Sequence, residues 1–182
     1  GLVVALVLVF TGVWQTGEWQ LRVAHAAHEN GNCTRALDGY QRVENGFQLS
    51  FSPSLMQRAR AGAEACALLD RAREDVAVGK HDQALDSYAA YFEHPAAIWQ
   101  DTDGEIAEIH YDFATDLTEE GEYREAQEIY AIIPVDYEGT PAAERVPEAL
   151  TDLYDEATAS YGTGHYCNGL EEIDGFAGLE WQ

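Results

Sequence analysis

The chain has 182 residues, with 33 acidic and 10 basic side chains, so its formal net charge is −23 at pH 7. Residues 101–182 hold 22 of the acids against Arg124 and Arg145, whereas residues 1–100 are nearly balanced. Such a surface repels nucleic acid and anionic lipid and attracts basic segments. The composition argues against a nucleic-acid partner and favours a basic or amphipathic protein partner, although many of these acids are expected to serve solubility alone.

The chain opens on an apolar segment, residues 2–14 (LVVALVLVFTGVW), with no charge before Glu18. Thirteen residues are fewer than the roughly 20 that cross a bilayer. We interpret them as the second half of a transmembrane helix or signal anchor, with Trp14 and Trp19 at the membrane interface. A cleaved signal peptide and a buried core helix are the alternatives. The scarcity of basic residues places the remainder outside the cytoplasm, anchored by a single pass.

A five-point pattern recurs four times in the rest of the chain. Each copy begins with an alanine, and a glycine follows seven residues later. Counted from this glycine, a small residue stands five positions on, and apolar residues stand nine and twelve positions on. The Ala–Gly pairs are Ala24/Gly31, Ala72/Gly79, Ala114/Gly121 and Ala157/Gly164. The apolar pairs are Tyr40/Val43, Tyr88/Tyr91, Tyr130/Ile133 and Ile173/Phe176. Self-similarity of this kind indicates a stack of repeated supersecondary units.

The local pattern of each repeat is helical. Residues 36–43 and 126–133 place apolar side chains at i, i+4 and i+7, which is the period of a helix. A glycine just beyond a helix can end it in the left-handed conformation, and alanine lets two helix axes approach closely. The sequence therefore predicts an all-α fold of antiparallel helix hairpins, with an irregular helical bundle as the alternative. The anchor would occupy residues 1–16 and the repeat domain residues 17–182, with repeats near 17–48, 53–95, 103–134 and 141–178.

The order small residue, glycine, aromatic, alanine, tyrosine resembles the tetratricopeptide repeat. The third repeat shows it best, with Phe113, Ala114, Leu117, Gly121, Tyr123, Ala126 and Tyr130. Successive glycines are 48, 42 and 43 residues apart, against about 34 in that family, so helices or connections must be longer here. The resemblance implies hairpins stacked as a short right-handed solenoid.

In that family, the first helix of each hairpin lines a concave groove that binds peptides. Transferred to this chain, the groove positions are Leu69, Arg73, Glu108, Tyr111, Thr115 and Glu119. The family's carboxylate clamp depends on lysine, and Lys80 is the only lysine in this chain. The resemblance therefore implies a groove for an extended peptide or a helix, without the clamp for a chain terminus.

Two cysteines are predicted to meet across neighbouring helices. If one helix starts near Cys33 and the next runs back from about residue 53, Cys66 lies within a turn of Cys33. We predict a disulfide, which would persist only in an oxidising compartment and would contribute about 3–4 kcal/mol. Two buried free thiols are the alternative. Cys167 has no partner left in the chain.

The end of the chain is predicted to carry an exposed apolar face, formed by Phe176, Leu179 and Trp181. A solenoid needs a polar cap at each end. We therefore expect further chain or another subunit to cover this face.

No motif fixes a reaction centre. His25, His28 and Cys33 are too few for a closed zinc shell. A calcium loop placed around Gly104 has His110 where a glutamate is required. We expect no catalytic, cofactor-binding or metal-binding residues and predict that the chain is not an enzyme. The predicted function is a membrane-anchored interaction scaffold, with an accessory subunit of a larger membrane complex or a sensor ectodomain as alternatives.

Overall fold

The structure is a computed structural model that describes the backbone of residues 2–46 and 52–159, with side chains from residue 15 onward. Within these residues it contains seven α-helices and no β-strand, which confirms the predicted all-α class for this part of the chain. The helices are α1 (Leu2–Glu29), α2 (Cys33–Glu44), α3 (Pro53–Ala77), α4 (His81–Glu93), α5 (Asp103–Glu120), α6 (Tyr123–Asp136) and α7 (Pro141–Ala159).

The helices belong to two units, Gly1–Asp101 and Thr102–Gln182, here called the N-terminal and C-terminal units. In the N-terminal unit α1 packs against α2, α2 against α3 and α3 against α4, and α1 also contacts α3. In the C-terminal unit α5, α6 and α7 all pack against one another. Short connections between packed neighbours make helical hairpins, and contact between alternate helices is what stacked hairpins produce. Each unit is therefore consistent with a helical repeat.

The alanine of every repeat lies in a core. Ala24, Ala72, Ala114 and Ala157 are all at most 2% exposed. At the α1–α2 crossing the close approach is measurable, because a Cβ added to Gly39 would lie only 2.7 Å from the Cβ of Ala24. The prediction that these alanines lie in the core is confirmed, and at Ala24 so is the prediction of a close helix crossing.

The aromatic and aliphatic positions of the pattern fill the same cores. In the first three repeats the residues nine and twelve beyond the glycine are at most 3% exposed. They are Tyr40, Val43, Tyr88, Tyr91, Tyr130 and Ile133. Their equivalents in the fourth repeat, Ile173 and Phe176, lie outside the described residues, as do Gly164, Cys167, Leu179 and Trp181.

Glycine ends the first helix of three repeats, as predicted. Gly31, Gly79 and Gly121 have φ values of 68°, 72° and 84°, in the left-handed region that favours glycine. Gly139, which the repeat pattern does not include, has a φ of 80°. The chain then enters α7 at Pro141, where the Thr140 hydroxyl accepts a hydrogen bond from the Ala143 N–H at 3.3 Å.

The structure does not support the predicted transmembrane helix. No helix of the described residues is long and apolar enough to cross a membrane. The prediction depends on the side chains of residues 2–14, which are not among the side chains that the structure describes. From Gln15 onward α1 carries charges at Glu18 and Arg22. Its backbone runs unbroken through residues 16 and 17, where the sequence suggested a boundary between anchor and repeats.

Candidate functional site

Four of the predicted groove residues lie on α5 of the C-terminal unit. Glu108, Tyr111, Thr115 and Glu119 follow one another at spacings of three and four residues, so they share one face of the helix. Arg145, from α7, forms an ion pair with Glu108. The Arg145 guanidinium also lies over the Tyr111 ring, 4.0 Å from its centroid. This face of α5 is therefore engaged by α7, while Glu119 remains exposed.

The hydroxyl groups of Thr115 and Tyr130 connect α5 to α6. The Thr115 Oγ1 lies 2.9 Å from the Tyr130 hydroxyl and donates to the Tyr111 carbonyl oxygen, also at 2.9 Å. The rings of Tyr111 and Tyr130 meet edge to face, with centroids 5.5 Å apart. Burial raises the pKa of Tyr130, so its hydroxyl stays neutral at physiological pH. Tyr111 and Thr115 thus hold α5, α6 and α7 together, and their binding role stays a prediction.

Replacing Arg145 with alanine is expected to lower the free energy of unfolding of the C-terminal unit by about 1 kcal/mol. The Glu108 ion pair is about half exposed and contributes little, so most of the loss comes from the cation–π contact with Tyr111. Urea denaturation followed by circular dichroism measures it. Arg124→Ala, at the other arginine of this unit, is the matched control, because Arg124 is exposed. Equal stabilities of the two variants would contradict the assignment.

The other two predicted groove residues lie on α3 of the N-terminal unit and turn inward. Leu69 is fully buried, so it offers no surface to a ligand. Arg73 is half-buried, donates to the Gly31 carbonyl oxygen at 2.9 Å, and places its guanidinium 5.2 Å from the centroid of the Trp99 ring. The prediction that Leu69 lines a binding groove is wrong because Ala65, Leu69 and Ala72 form one helical stripe facing the core.

A pair of exposed aliphatic side chains in the C-terminal unit lies elsewhere, on α6. Ile132 is 40% exposed and Val135 is 77% exposed, and their spacing of three residues places them side by side. We call these two residues the α6 strip. Glu128 and Asp136, four residues before and after Ile132, are exposed as well. The strip was not predicted from the sequence, although the run Ile129 to Val135 holds more apolar residues than one buried face needs.

The surroundings of the α6 strip are strongly negative. Residues 102–159 carry 17 acids, and their only basic residues are Arg124 and Arg145. Arg145 is already paired with Glu108. The formal charge of this described part is therefore −15, from 17 acids less two arginines. An apolar patch within such a field suits a partner that is both apolar and basic.

The predicted cysteine pair lies in the core of the N-terminal unit. Cys33 is the first residue of α2 and Cys66 lies in the middle of α3. Their sulfur atoms are 2.7 Å apart, and both residues are at most 1% exposed. The structure carries both as free cysteines. The predicted proximity is therefore present, and the disulfide itself stays a prediction.

A buried histidine lies beside the two sulfurs. His28 of α1 is fully buried, with Nδ1 3.3 Å from the Tyr40 hydroxyl and Nε2 3.1 Å from the Tyr91 hydroxyl. The Tyr91 hydroxyl in turn accepts from the N–H of Trp99 at 2.8 Å and of Ile98 at 3.1 Å. Burial, and secondly the neighbouring His25 and His94, lower the pKa of His28 to about 4, so the imidazole is neutral at pH 7. The neighbouring His25 is exposed and faces Glu29.

These groups form a possible metal cluster, since ligand atoms of His28, Cys33 and Cys66 all lie within 4.8 Å of one another. Their geometry does not fit zinc. Two thiolates bound tetrahedrally at about 2.3 Å would have sulfurs about 3.8 Å apart, whereas these are 2.7 Å apart. Both imidazole nitrogens already face tyrosine hydroxyls. The interaction with the adjacent Cys33 side chain, and secondly burial, raise the pKa of the Cys66 thiol, which opposes the thiolate that a metal requires.

The helical packing and the repeat pattern of the described residues are consistent with a helical repeat. Three repeats share buried alanines, left-handed glycines and buried aromatic positions in the described residues. We compared the chain with protein-family models, with curated proteins and with solved structures, and none of the three comparisons finds a match.

Proposed function

We propose that the chain is a non-enzymatic interaction scaffold that docks a basic, amphipathic helical segment of a partner protein on the α6 strip. The observation that carries the proposal is an exposed apolar pair, Ile132 and Val135, within a surface of strongly negative charge. We further propose a degenerate tetratricopeptide-like array, tethered by residues 2–14 and exposed outside the cytoplasm. The tether rests on the apolar sequence and the location on the scarcity of basic residues.

The apolar part of the interaction supplies affinity. Single exposed hydrophobic side chains are normal on protein surfaces. Here two lie side by side on one helix face, and Val135 is exposed over most of its surface. Covering both would remove apolar area from water, which is favourable by about 25 cal/mol per Å². An amphipathic helix would present apolar side chains at matching spacings of three and four residues.

The charged part of the interaction supplies orientation and rate. Glu128 and Asp136 flank the strip, and the described residues around it hold far more acids than bases. Lysines and arginines beside the apolar face of the partner would meet these carboxylates. Such pairs steer association and weaken as salt rises. The segment is therefore expected to be basic, not merely apolar.

The test uses the full chain and two synthetic helical peptides of equal length, one built from leucine and lysine and one from leucine and glutamate. The lysine peptide is expected to bind, with an affinity that falls at least tenfold between low and high salt. Ile132→Glu and Val135→Glu are each expected to weaken this binding at least tenfold. Calorimetry or fluorescence anisotropy measures the affinities.

Val78→Glu is the matched control, because Val78 is 65% exposed, lies in the N-terminal unit, and gains the same charge. This variant is expected to bind the lysine peptide like the unmodified chain. Weakening of the same size in all three variants would contradict docking on the α6 strip. Equal binding of the lysine and glutamate peptides would contradict the electrostatic part of the proposal.

A further inference from the structure

We infer that Cys33 and Cys66 are joined by a disulfide that forms before α1, α2 and α3 close around it, so that the N-terminal unit is a covalently stapled helical domain. The staple is independent of the proposed docking site, which lies in the other unit. It ties the first residue of α2 to the middle of α3. These two helices pack against each other directly.

The position of the two sulfurs favours a disulfide. At 2.7 Å they are closer than two thiol sulfurs that are not bonded can lie without repulsion. A modest movement would bring them to the bond length of a disulfide, about 2.05 Å. A zinc ion would instead require the sulfurs to separate. The distance between the two sulfurs is therefore closer to that of a disulfide than to that of two separate thiols or of a zinc site.

The polar groups around the sulfurs also fit a disulfide. His28 bridges the hydroxyls of Tyr40 and Tyr91, and Tyr91 also receives two backbone N–H groups. This chain of hydrogen bonds is complete without either sulfur. A disulfide has no hydrogen to donate, so it fits beside a network that is already satisfied. Each thiol would bring an extra donor into the same buried space.

Neither sulfur is accessible to an oxidant in the folded unit. Cys33 and Cys66 are at most 1% exposed, so a soluble oxidant cannot reach either sulfur in the folded unit. Cysteine reactivity requires an accessible thiolate. The bond must therefore form while α2 and α3 can still separate from α1 or from each other.

The reaction is a thiol–disulfide exchange with an oxidant that itself carries a disulfide, such as oxidised glutathione or a dithiol oxidase. One cysteine thiolate attacks a sulfur of the oxidant, which forms a mixed disulfide and releases one thiol. The second cysteine thiolate then attacks the mixed disulfide, forms the Cys33–Cys66 bond and releases the second thiol. Two electrons pass from the cysteines to the oxidant, and the two cysteine protons end on the released thiols.

The first test is peptide mapping of the full chain carrying Cys167→Ser, prepared in an oxidising compartment. Trypsin places Cys33 in peptide 23–35 and Cys66 in peptide 61–71, because arginines precede and end both segments. The protein is denatured without reductant, alkylated and digested. We expect no alkylated cysteine and a mass equal to the two peptides joined with the loss of two hydrogens. Two alkylated cysteines would overturn the inference.

The second test concerns timing and the metal alternative. Oxidised glutathione added during refolding of the reduced chain should give the cross-link at least ten times faster than the same reagent added after folding. Equal rates would show that the sulfurs are accessible and would overturn the proposed order. Zinc bound at one ion per chain, released by a chelator together with two titratable thiols, would overturn the disulfide itself. Cys66→Ser, which removes one half of the bond, is the negative control for the joined peptides.

Discussion

Lowering the pH from 6.5 to 4 is expected to reduce the free energy of unfolding of the N-terminal unit by about 3 kcal/mol through His28 alone. The pKa of His28 is lowered to about 4 in the folded state, first by burial. In the unfolded chain it returns to about 6.5. Between these values the unfolded state binds more protons, so stability falls as the pH falls and levels off below pH 4.

The groups around His28 also favour a lowered pKa in the folded state. His25 and His94 lower its pKa further when they are charged, and only Glu29 opposes them. Tyr40 and Tyr91 meet the two ring nitrogens as neutral hydroxyls, because burial raises the pKa of both. The nearby Cys66 sulfur carries no charge either, because the pKa of its thiol is raised and a disulfide sulfur has no proton to lose. Among the described residues, Glu29 of α1 is the only anionic group that raises the pKa of His28.

Urea denaturation at several pH values measures the effect, with tryptophan fluorescence as the signal because Trp19 and Trp99 belong to the N-terminal unit. His28→Gln should lose most of the pH dependence between 4 and 6.5, whereas His25→Gln, at an exposed position, should keep it. Carboxylates also titrate in this pH range, and they do so in the unmodified chain and in both variants. The contribution of His28 is therefore the difference in pH dependence between the unmodified chain and His28→Gln. Identical slopes for the unmodified chain and His28→Gln would contradict the prediction. An NMR titration of the His28 ring tests the same pKa without any variant.

Replacing Gly62 with alanine is expected to destabilise the N-terminal unit by about 2 kcal/mol. The new Cβ would lie 2.4 Å from Cζ of Tyr40 and 2.8 Å from two further ring atoms. Tyr40 cannot swing away cheaply, because it is 1% exposed and its hydroxyl meets His28. Overpacking of this kind costs about 1–3 kcal/mol, and loss of the hydrogen bond adds about 1. The gain from alanine in a helix, about 1 kcal/mol or less, offsets part of it.

Gly104→Ala is the matched control for this substitution. Gly104 lies in α5, and a Cβ there meets nothing within 4 Å. The same change of residue should therefore stabilise the chain slightly, by up to about 1 kcal/mol. Thermal or urea denaturation compares the two variants. A Gly62→Ala protein at least as stable as the unmodified chain would show that Tyr40 and α3 do not meet as closely as described.

The sequence by itself determined the elements and their small-residue crossings in the described part. Ala24, Gly31 and Tyr40 act through local spacing, since a helix repeats every 3.6 residues and ends where glycine adopts a left-handed conformation. Those rules do not depend on residues that are far away in the sequence. The prediction that Cys33 lies opposite Cys66 also followed from helix length and a short connection. Its success came from counting residues along two neighbouring helices.

The tertiary structure alone decided which side chains face one another between helices and which remain exposed. His28 meets Tyr91, 63 residues away, and nothing in the spacing of His25 and His28 distinguishes the buried ring from the exposed one. Leu69 is buried and Ile132 exposed although both are aliphatic residues in apolar stretches. The rotation of each helix about its axis fixes such outcomes. That rotation follows from the packing of all its neighbours together, which no single segment encodes.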